Sequence, residues 1–108
     1  VLGALGAHKA IVVSGYGGLD ELTTTGPNRG SIYENGAIET IDLDPLDFDL
    51  KPAHVSELLG GDPPENARIL RGVLSGTVDG AKHDVVLLNS GAAGCATPST
   101  PGSRWPAR

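Results

Sequence analysis

The fold is decided by residues 31–41, which read SIYENGAIETI. Short runs containing Ile, Tyr and Thr lie on either side of Asn35-Gly36, a dipeptide that readily adopts the positive φ angles of a two-residue hairpin turn. The segment therefore predicts two antiparallel strands, Ser31–Glu34 and Ala37–Ile41, joined by a tight turn.

The apolar run Ala10–Ser14 predicts another strand, which Gly15 ends. A continuous run rich in β-branched residues is typical of a strand buried on both faces in a parallel sheet. Ahead of it, Val1–Leu5 followed by Gly6 has the pattern of the last turn of a helix with a glycine cap. We therefore expect the sequence to begin inside an element of a longer protein.

A helix start is predicted at residues 62–65, which read DPPE. An N-cap carboxylate, proline in the first turn and glutamate three residues after the cap together form a specific signature. We expect this helix to continue to about Ser75 and to end at Gly76. Its apolar stripe is expected to face the core and consists of Ala67, Leu70, Val73 and Leu74, with Ile69 at the margin.

Residues 84–88, DVVLL, predict a second buried strand, and Asn89-Ser90 is expected to cap a helix that begins at Gly91. The alternation of strands and helices indicates an α/β fold with a partial central sheet, flanking helices and one β-hairpin. Residues 94–108 show neither helical nor strand periodicity. We therefore expect residues 1–93 to be a fragment of an α/β domain and residues 94–108 to be an irregular or aberrant tail.

Composition excludes several classes of protein. The chain has 108 residues, enough for one small domain or a piece of a larger one. Eight basic residues against 13 acidic ones give a net charge of −5, which argues against a nucleic-acid partner. The single cysteine, Cys95, cannot form an internal disulfide, so a cytoplasmic location is expected. The apolar runs are too short to span a membrane.

Two neighbouring carboxylates, Asp20 and Glu21, follow the first predicted strand through a glycine-rich loop. Ligands of open α/β sheets bind at such strand ends, and Mg²⁺ commonly takes one or two protein carboxylates together with waters and substrate phosphates. By composition alone, surface charge or the first turn of a helix is the more common role for such a pair.

The other candidate groups favour structural roles. Five carboxylates between residues 39 and 49 suit a solvated rim better than a weak cation-attracting patch. His8, His54 and His83 lie far apart in the chain, without the spacing of metal ligands. Ser90 lacks the motif of a nucleophilic serine, so a helix cap is favoured.

Three motifs occur in order along the chain: GLDELT at residues 18–23, GGD at residues 60–62 followed by ENA at residues 65–67, and DVVLLN at residues 84–89. Their order and spacing resemble the C-terminal part of the anthranilate phosphoribosyltransferase family over roughly residues 1–93. The resemblance implies a catalytic domain of the phosphoribosyltransferase and nucleoside phosphorylase type. It also implies a glycosyltransferase that moves phosphoribose from phosphoribosyl pyrophosphate to anthranilate in tryptophan biosynthesis.

On this resemblance, Asp20 and Glu21 match the acidic pair that holds Mg²⁺ on the pyrophosphate. A metal at this place would stabilise the leaving pyrophosphate as the C1–O bond breaks. The sequence also departs from the family pattern. Ser14 stands where the family commonly has histidine, Gly17 where it has an acidic residue, and Asp49 where it has glycine.

The resemblance places the family's pyrophosphate loop, its basic substrate-binding residues and its helical dimerisation domain before residue 1. We therefore assign no catalytic residue here, and we expect the isolated chain to be inactive and the parent enzyme to be a homodimer. Two alternatives stay open. The parent could use another acceptor in phosphoribosyl or nucleoside chemistry, as Ser14 and Gly17 suggest, or the chain could be a non-catalytic remnant that acts as an interaction module.

Overall fold

The structure is a computed structural model that describes residues 1–95 of the chain. Three strands are followed by two short 3₁₀ turns and two helices. The elements are β1 (Lys9–Ser14), β2 (Asn28–Glu34), β3 (Ala37–Leu43), the 3₁₀ turns Pro45–Phe48 and Val55–Leu58, α1 (Pro63–Ser75) and α2 (Ala81–Cys95).

The predicted hairpin is confirmed. β2 and β3 pair antiparallel with Glu34 opposite Ala37, so the connection contains two residues. Asn35 and Gly36 have φ angles of 52° and 79°, as a primed turn requires. This turn fixes the register of two of the three strands of the sheet.

The prediction of a parallel, doubly buried strand at Ala10–Ser14 is wrong. Within residues 1–95 the sheet has the order β1-β2-β3, and β1 pairs antiparallel with β2, with Ile11 opposite Ile32. Only one face of β1 meets the core, because Val13 packs there while Val12 is 58% exposed. A continuous apolar run does not specify its neighbours, and here the neighbours leave one face open.

Helix α1 begins and ends as predicted. Asp62 Oδ1 accepts a hydrogen bond from the Glu65 amide at 3.0 Å, and Gly76 forms the C-cap with a φ of 80°. The buried face differs from the prediction, since Gly72 is buried whereas Leu70 and Leu74 are 58% and 75% exposed. The apolar stripe therefore lies largely on the outside of the described fold.

The predicted strand at residues 84–88 is also wrong, because these residues lie inside α2. Asn89 and Ser90 consequently lie in the middle of this helix and cap no later one. Burial follows helical spacing, with Leu88 and Ala92 buried four residues apart and Leu87 exposed. A short apolar run fits a strand and a buried helix segment equally well, so tertiary packing decides between them.

The core lies between α2 and the sheet. It consists of Leu22, Leu43, Leu88 and Ala92, with Val13, Ile41, Phe48 and Leu50 packed around them. The helical turn predicted at the start is present, because the Leu5 amide donates to the Val1 carbonyl at 3.1 Å and Gly6 has a φ of 97°. Among residues 1–95, no helix is long and apolar enough to cross a membrane.

The predicted boundary after residue 93 falls within α2, which continues to Cys95. Residues 96–108 lie outside the described residues. The irregular tail therefore stays a prediction.

Candidate functional site

Asp20 and Glu21 follow a tight turn at the end of β1. The Gly15 amide donates to the Leu19 carbonyl at 2.8 Å and closes this turn, in which Gly17 and Gly18 have φ angles of 77° and 83°. Residues other than glycine rarely adopt such angles, so the glycines predicted here are needed to reverse the chain. The turn presents the two acidic residues next to each other on the surface.

The acidic pair carries uncompensated negative charge. Asp20 and Glu21 are both exposed, and among residues 1–95 no lysine, arginine or histidine lies within ion-pair distance of either carboxylate. No cluster of three or more metal-ligating side chains forms within the described residues. Two accessible carboxylates without further protein ligands fit Mg²⁺ that arrives with a phosphate ligand, because such an ion needs few protein oxygens.

The residues after the acidic pair turn inward. Leu22 and Thr23 are almost completely buried, although they belong to neither a helix nor a strand. Buried backbone groups require hydrogen-bond partners, and outside regular structure these must come from side chains or from isolated backbone contacts. Two asparagine side chains supply them.

Asn28, the first residue of β2, is 3% exposed and makes four hydrogen bonds. Its Oδ1 accepts from the amides of Thr23, at 2.9 Å, and Tyr16, at 3.3 Å. Its Nδ2 donates to the carbonyls of Thr23 and Leu43, both at 2.9 Å. One side chain thus joins the loop before the acidic pair, the loop after it and strand β3.

Asn89, in the middle of α2, holds Leu22 in the same manner. Its Oδ1 accepts from the Leu22 amide at 2.9 Å, and its Nδ2 donates to the Leu22 carbonyl at 2.7 Å. The Nδ2 group also donates to the Val85 carbonyl at 2.9 Å, within the helix. This contact links residues that are far apart in the sequence.

Sequence reasoning missed both asparagines as parts of the site. Asn89 was expected to cap a helix, and Asn28 received no role. One signal was available for Asn89, because asparagine is unfavourable inside a helix unless its side chain has a partner elsewhere. Its position beside a buried-type apolar run indicates that the partner lies within the fold.

Two of the five carboxylates between residues 39 and 49 have local partners, in agreement with a solvated rim. Asp42 pairs with Arg29 at 3.5 Å, and Asp44 Oδ1 accepts from the Leu46 amide at 3.0 Å. Asp49 ends the first 3₁₀ turn with a φ of 58°. These contacts give the Asp42 and Asp44 carboxylates local partners, whereas Asp49 acts through its backbone.

Among residues 1–95, His54, His83 and Ser90 form no hydrogen bond or ion pair with the acidic pair. His54 precedes the second 3₁₀ turn, and its amide donates to Glu57 at 2.7 Å. His83 Nδ1 lies 3.3 Å from Asp84 Oδ1 in the first turn of α2. Ser90 is exposed on α2 and has no histidine partner among the hydrogen bonds of residues 1–95.

An apolar groove of about 280 Å³ lies between α1, α2 and the second 3₁₀ turn. Ile69, Leu70 and Val73 of α1 line one side, and Val85 and Val86 of α2 line the other. None of the residues of the acidic loop lines it. The groove and the acidic pair are therefore separate features.

The chain matches the glycosyl transferase family, a/b domain, over residues 1–100. It is 49% identical over 92 residues to an anthranilate phosphoribosyltransferase of Rubrobacter xylanophilus, covering 85% of this chain and 27% of that protein. The anthranilate phosphoribosyltransferase of Moorella thermoacetica is 48% identical over 90 residues, and the match covers 26% of that protein. The chain therefore spans about a quarter of the length of the curated relatives it matches.

Solved structures confirm the fold class. Anthranilate phosphoribosyltransferase from Thermus thermophilus superposes with a TM-score of 0.79 at 39% identity, over 94% of this chain and 29% of that one. The Saccharomyces cerevisiae enzyme in complex with phosphoribosyl pyrophosphate and Mg superposes with a TM-score of 0.70 at 31% identity. The match covers 80% of this chain and 25% of the yeast chain. The same yeast enzyme with 4-fluoroanthranilate superposes with a TM-score of 0.72 at 30% identity, and the match covers 82% of this chain and 26% of the yeast chain.

Proposed function

This chain belongs to the glycosyl transferase family, a/b domain, and from that premise we propose that it forms part of an anthranilate phosphoribosyltransferase. The reaction moves phosphoribose from phosphoribosyl pyrophosphate to the amine of anthranilate, a step of tryptophan biosynthesis. The C1–O bond breaks with its electron pair on the pyrophosphate, the C1–N bond forms, and the amine gives up a proton. Relatives crystallised with the phosphoribosyl donor and with an anthranilate analogue support these substrates.

The observation that carries the proposal is the exposed pair Asp20 and Glu21, which no basic side chain within residues 1–95 neutralises, on a loop held by two asparagines. In the proposed role these carboxylates bind Mg²⁺ and so orient the pyrophosphate at the end of β1. The ion supplies positive charge that stabilises the leaving pyrophosphate. A chain with a net charge of −5 can in this way bind an anionic substrate, because its carboxylates contact the metal and not the phosphate.

The wider assignments are proposals of the same kind. The parent enzyme is a cytoplasmic homodimer whose helical domain and pyrophosphate loop lie outside these residues, and the isolated chain is inactive. Its coverage of about a quarter of its relatives supports only the assignment as part of a longer enzyme. In this proposal residues 1–93 are the domain fragment and residues 94–108 are an irregular or aberrant tail, although the family match reaches residue 100. Identity of 44–49% to anthranilate enzymes favours anthranilate over another acceptor, despite Ser14 and Gly17.

A metal titration of the full chain tests the site. Mn²⁺ binding is followed by electron paramagnetic resonance in the wild type and in the Asp20→Asn and Glu21→Gln variants. Each variant is expected to weaken binding about 10-fold or more, because a neutral amide with one oxygen replaces a charged carboxylate with two. Asp47→Asn removes the same charge from the acidic rim and should leave the affinity unchanged. Equal affinity in all four proteins would refute the metal role.

A chimera tests the activity. Residues 1–93 replace the matching segment of the Thermus thermophilus enzyme, and formation of phosphoribosylanthranilate is measured. We expect turnover in the chimera and a loss of about 100-fold with Asp20→Asn, since the ion that would stabilise the leaving pyrophosphate is held more weakly. A folded chimera without turnover would contradict the assignment to this enzyme.

A further inference from the structure

Within residues 1–95, no side chain forms a hydrogen bond or an ion pair with Asp20 or Glu21. Asp20 and Glu21 are exposed, and the nearest fixed points of the chain are Gly15 with Leu19 before them and Leu22 with Thr23 after them. The direction in which the two carboxylates project from the surface therefore depends on the hydrogen bonds that hold Leu22 and Thr23. Neither residue belongs to a strand, so no regular ladder of hydrogen bonds holds them.

Side-chain amides replace that ladder at two consecutive residues. Asn89 bonds both the N–H and the C=O of Leu22, at 2.9 and 2.7 Å. Asn28 bonds both the N–H and the C=O of Thr23, each at 2.9 Å. All four polar backbone groups directly after the acidic pair are satisfied by these two side chains.

The two amides reach the loop from opposite sides of the core. Asn28 is tied to the sheet through the Leu43 carbonyl, and Asn89 is tied to α2 through the Val85 carbonyl. Leu22 itself packs in the same cluster as Leu43 and Leu88. The packing of α2 on the sheet therefore sets the position of the loop, because the two amides connect the loop to both elements.

We infer that Asn28 and Asn89 are positioning residues for the acidic pair, an inference that rests on the metal role proposed above. A fixed Leu22-Thr23 backbone holds the two carboxylates where both can contact one ion. Without it the loop samples other orientations, and metal binding then requires the loop to be ordered again. Partners in the outer shell of metal sites typically contribute 10- to 100-fold in affinity.

The test measures Mn²⁺ affinity of the full chain in Asn89→Ala and Asn28→Ala variants that circular dichroism shows to be folded. Asn66→Ala is the matched control, because Asn66 makes the same two bonds to the backbone of Gly61, at 2.8 and 2.9 Å, far from the acidic loop in sequence. We expect the affinity for Mn²⁺ to fall about 10-fold in the first two variants and to stay within about 2-fold in the control. Amide exchange of Leu22 should accelerate in Asn89→Ala alone.

Unchanged Mn²⁺ affinity in Asn89→Ala, together with faster exchange at Leu22, would overturn the inference. If Asn89→Ala does not fold, Asn89→Asp replaces it, since this variant keeps the acceptor for the Leu22 amide and loses the donor. Its added negative charge would favour Mn²⁺, so weaker binding supports positioning, and equal or tighter binding refutes it. Wild-type protein that binds no Mn²⁺ would refute the metal role itself and with it this inference.

Discussion

At the residue scale, asparagine serves this chain in two different ways. Asn35 acts through its backbone, because it adopts a positive φ in the hairpin turn. Asn28, Asn66 and Asn89 act through their side chains, each bonding both backbone groups of another residue. The first role is local and visible in the dipeptide Asn35-Gly36, whereas the second depends on where the fold places the partner.

Gly36 offers a direct test of the turn. A Cβ at this position would meet no atom within 4 Å. The only cost of Gly36→Ala is therefore the conformational free energy of holding alanine at a φ of 79°. We expect it to lower the free energy of unfolding by about 1 kcal/mol, the penalty of a left-handed L-residue. Urea denaturation followed by circular dichroism measures the change.

Gly94→Ala provides the matched control. Space around Gly94 is equally open, but this residue lies in α2 without a positive φ. The free energy of unfolding should therefore rise by about 0.5–1 kcal/mol, because alanine favours the helix. Equal effects of the two substitutions would show that Gly36 is not required for its conformation.

At the element scale, α1 is stabilised by contacts within its own sequence. Asp62 caps its first turn, and Gly76 ends it. Arg68 binds Glu65 with both ends of its guanidinium group, Nε to Oε2 at 2.9 Å and Nη2 to Oε1 at 2.6 Å. This hydrogen bond lowers the pKa of Glu65, the positive charge of Arg68 lowers it further, and the same contact raises the pKa of Arg68.

The lowered pKa of Glu65 predicts a pH-dependent contribution to stability. A carboxyl whose folded pKa lies below its unfolded value, about 4.3 for glutamate, stabilises the fold above that value. The contribution is lost as the pH falls further, through the folded pKa. We expect Arg68→Ala to be slightly less stable than the wild type at neutral pH and equally stable in strong acid, as measured by urea denaturation.

The effect should be small, because both side chains are exposed to solvent. Arg71→Ala is the control, since Arg71 lies on the same helix and makes no ion pair among residues 1–95. Its stability relative to the wild type should not change with pH between the two conditions. A difference for Arg68→Ala that persists in acid would assign the stabilisation to packing of its aliphatic stem instead.

At the scale of the whole molecule, the described residues enclose a small core and expose large apolar side chains. Only four apolar residues are buried within residues 1–95, whereas Leu70 and Leu74 of α1 and Val86 and Leu87 of α2 are exposed. Apolar surface of this kind favours association with other chains, and an unpaired strand edge adds to the same tendency.

We expect the isolated chain to self-associate and to unfold at low temperature, because so small a core leaves little stability. Sedimentation velocity at several concentrations should show a weight-average mass that rises with concentration. The double variant Leu70→Gln/Leu74→Gln should lower this association, since it removes the most exposed part of α1. A monomer at all concentrations with a cooperative melt at high temperature would contradict the expectation.

Leu88→Ala is the comparison for the core. Leu88 is 3% exposed and packs in the core cluster, so its truncation should cost about 3 kcal/mol of stability through lost burial and a cavity. Its effect should appear in the denaturation midpoint, whereas the double variant of α1 should change mainly the association. Loss of core stability in both proteins would mean that the outer face of α1 is covered in solution.

The sequence by itself determined the features that depend on neighbours within a few residues. The hairpin at Asn35-Gly36, the start of α1 at Asp62 and its end at Gly76 follow from backbone angles and capping bonds that such residues favour locally. The pair Asp20-Glu21 could also be identified in the sequence, since the two residues are adjacent in the chain and follow a predicted strand through a glycine-rich loop.

Only the tertiary structure decided what depends on distant contacts. These are the antiparallel pairing of β1, the helical state of residues 84–88, the outward face of α1 and the hold of Asn28 and Asn89 on the acidic loop. An apolar residue gains free energy from burial in any direction, and an amide bonds any suitably placed backbone group. Neither burial nor an amide hydrogen bond specifies its partner from the local sequence. The packing of α2 on the sheet therefore determines which residues are in contact.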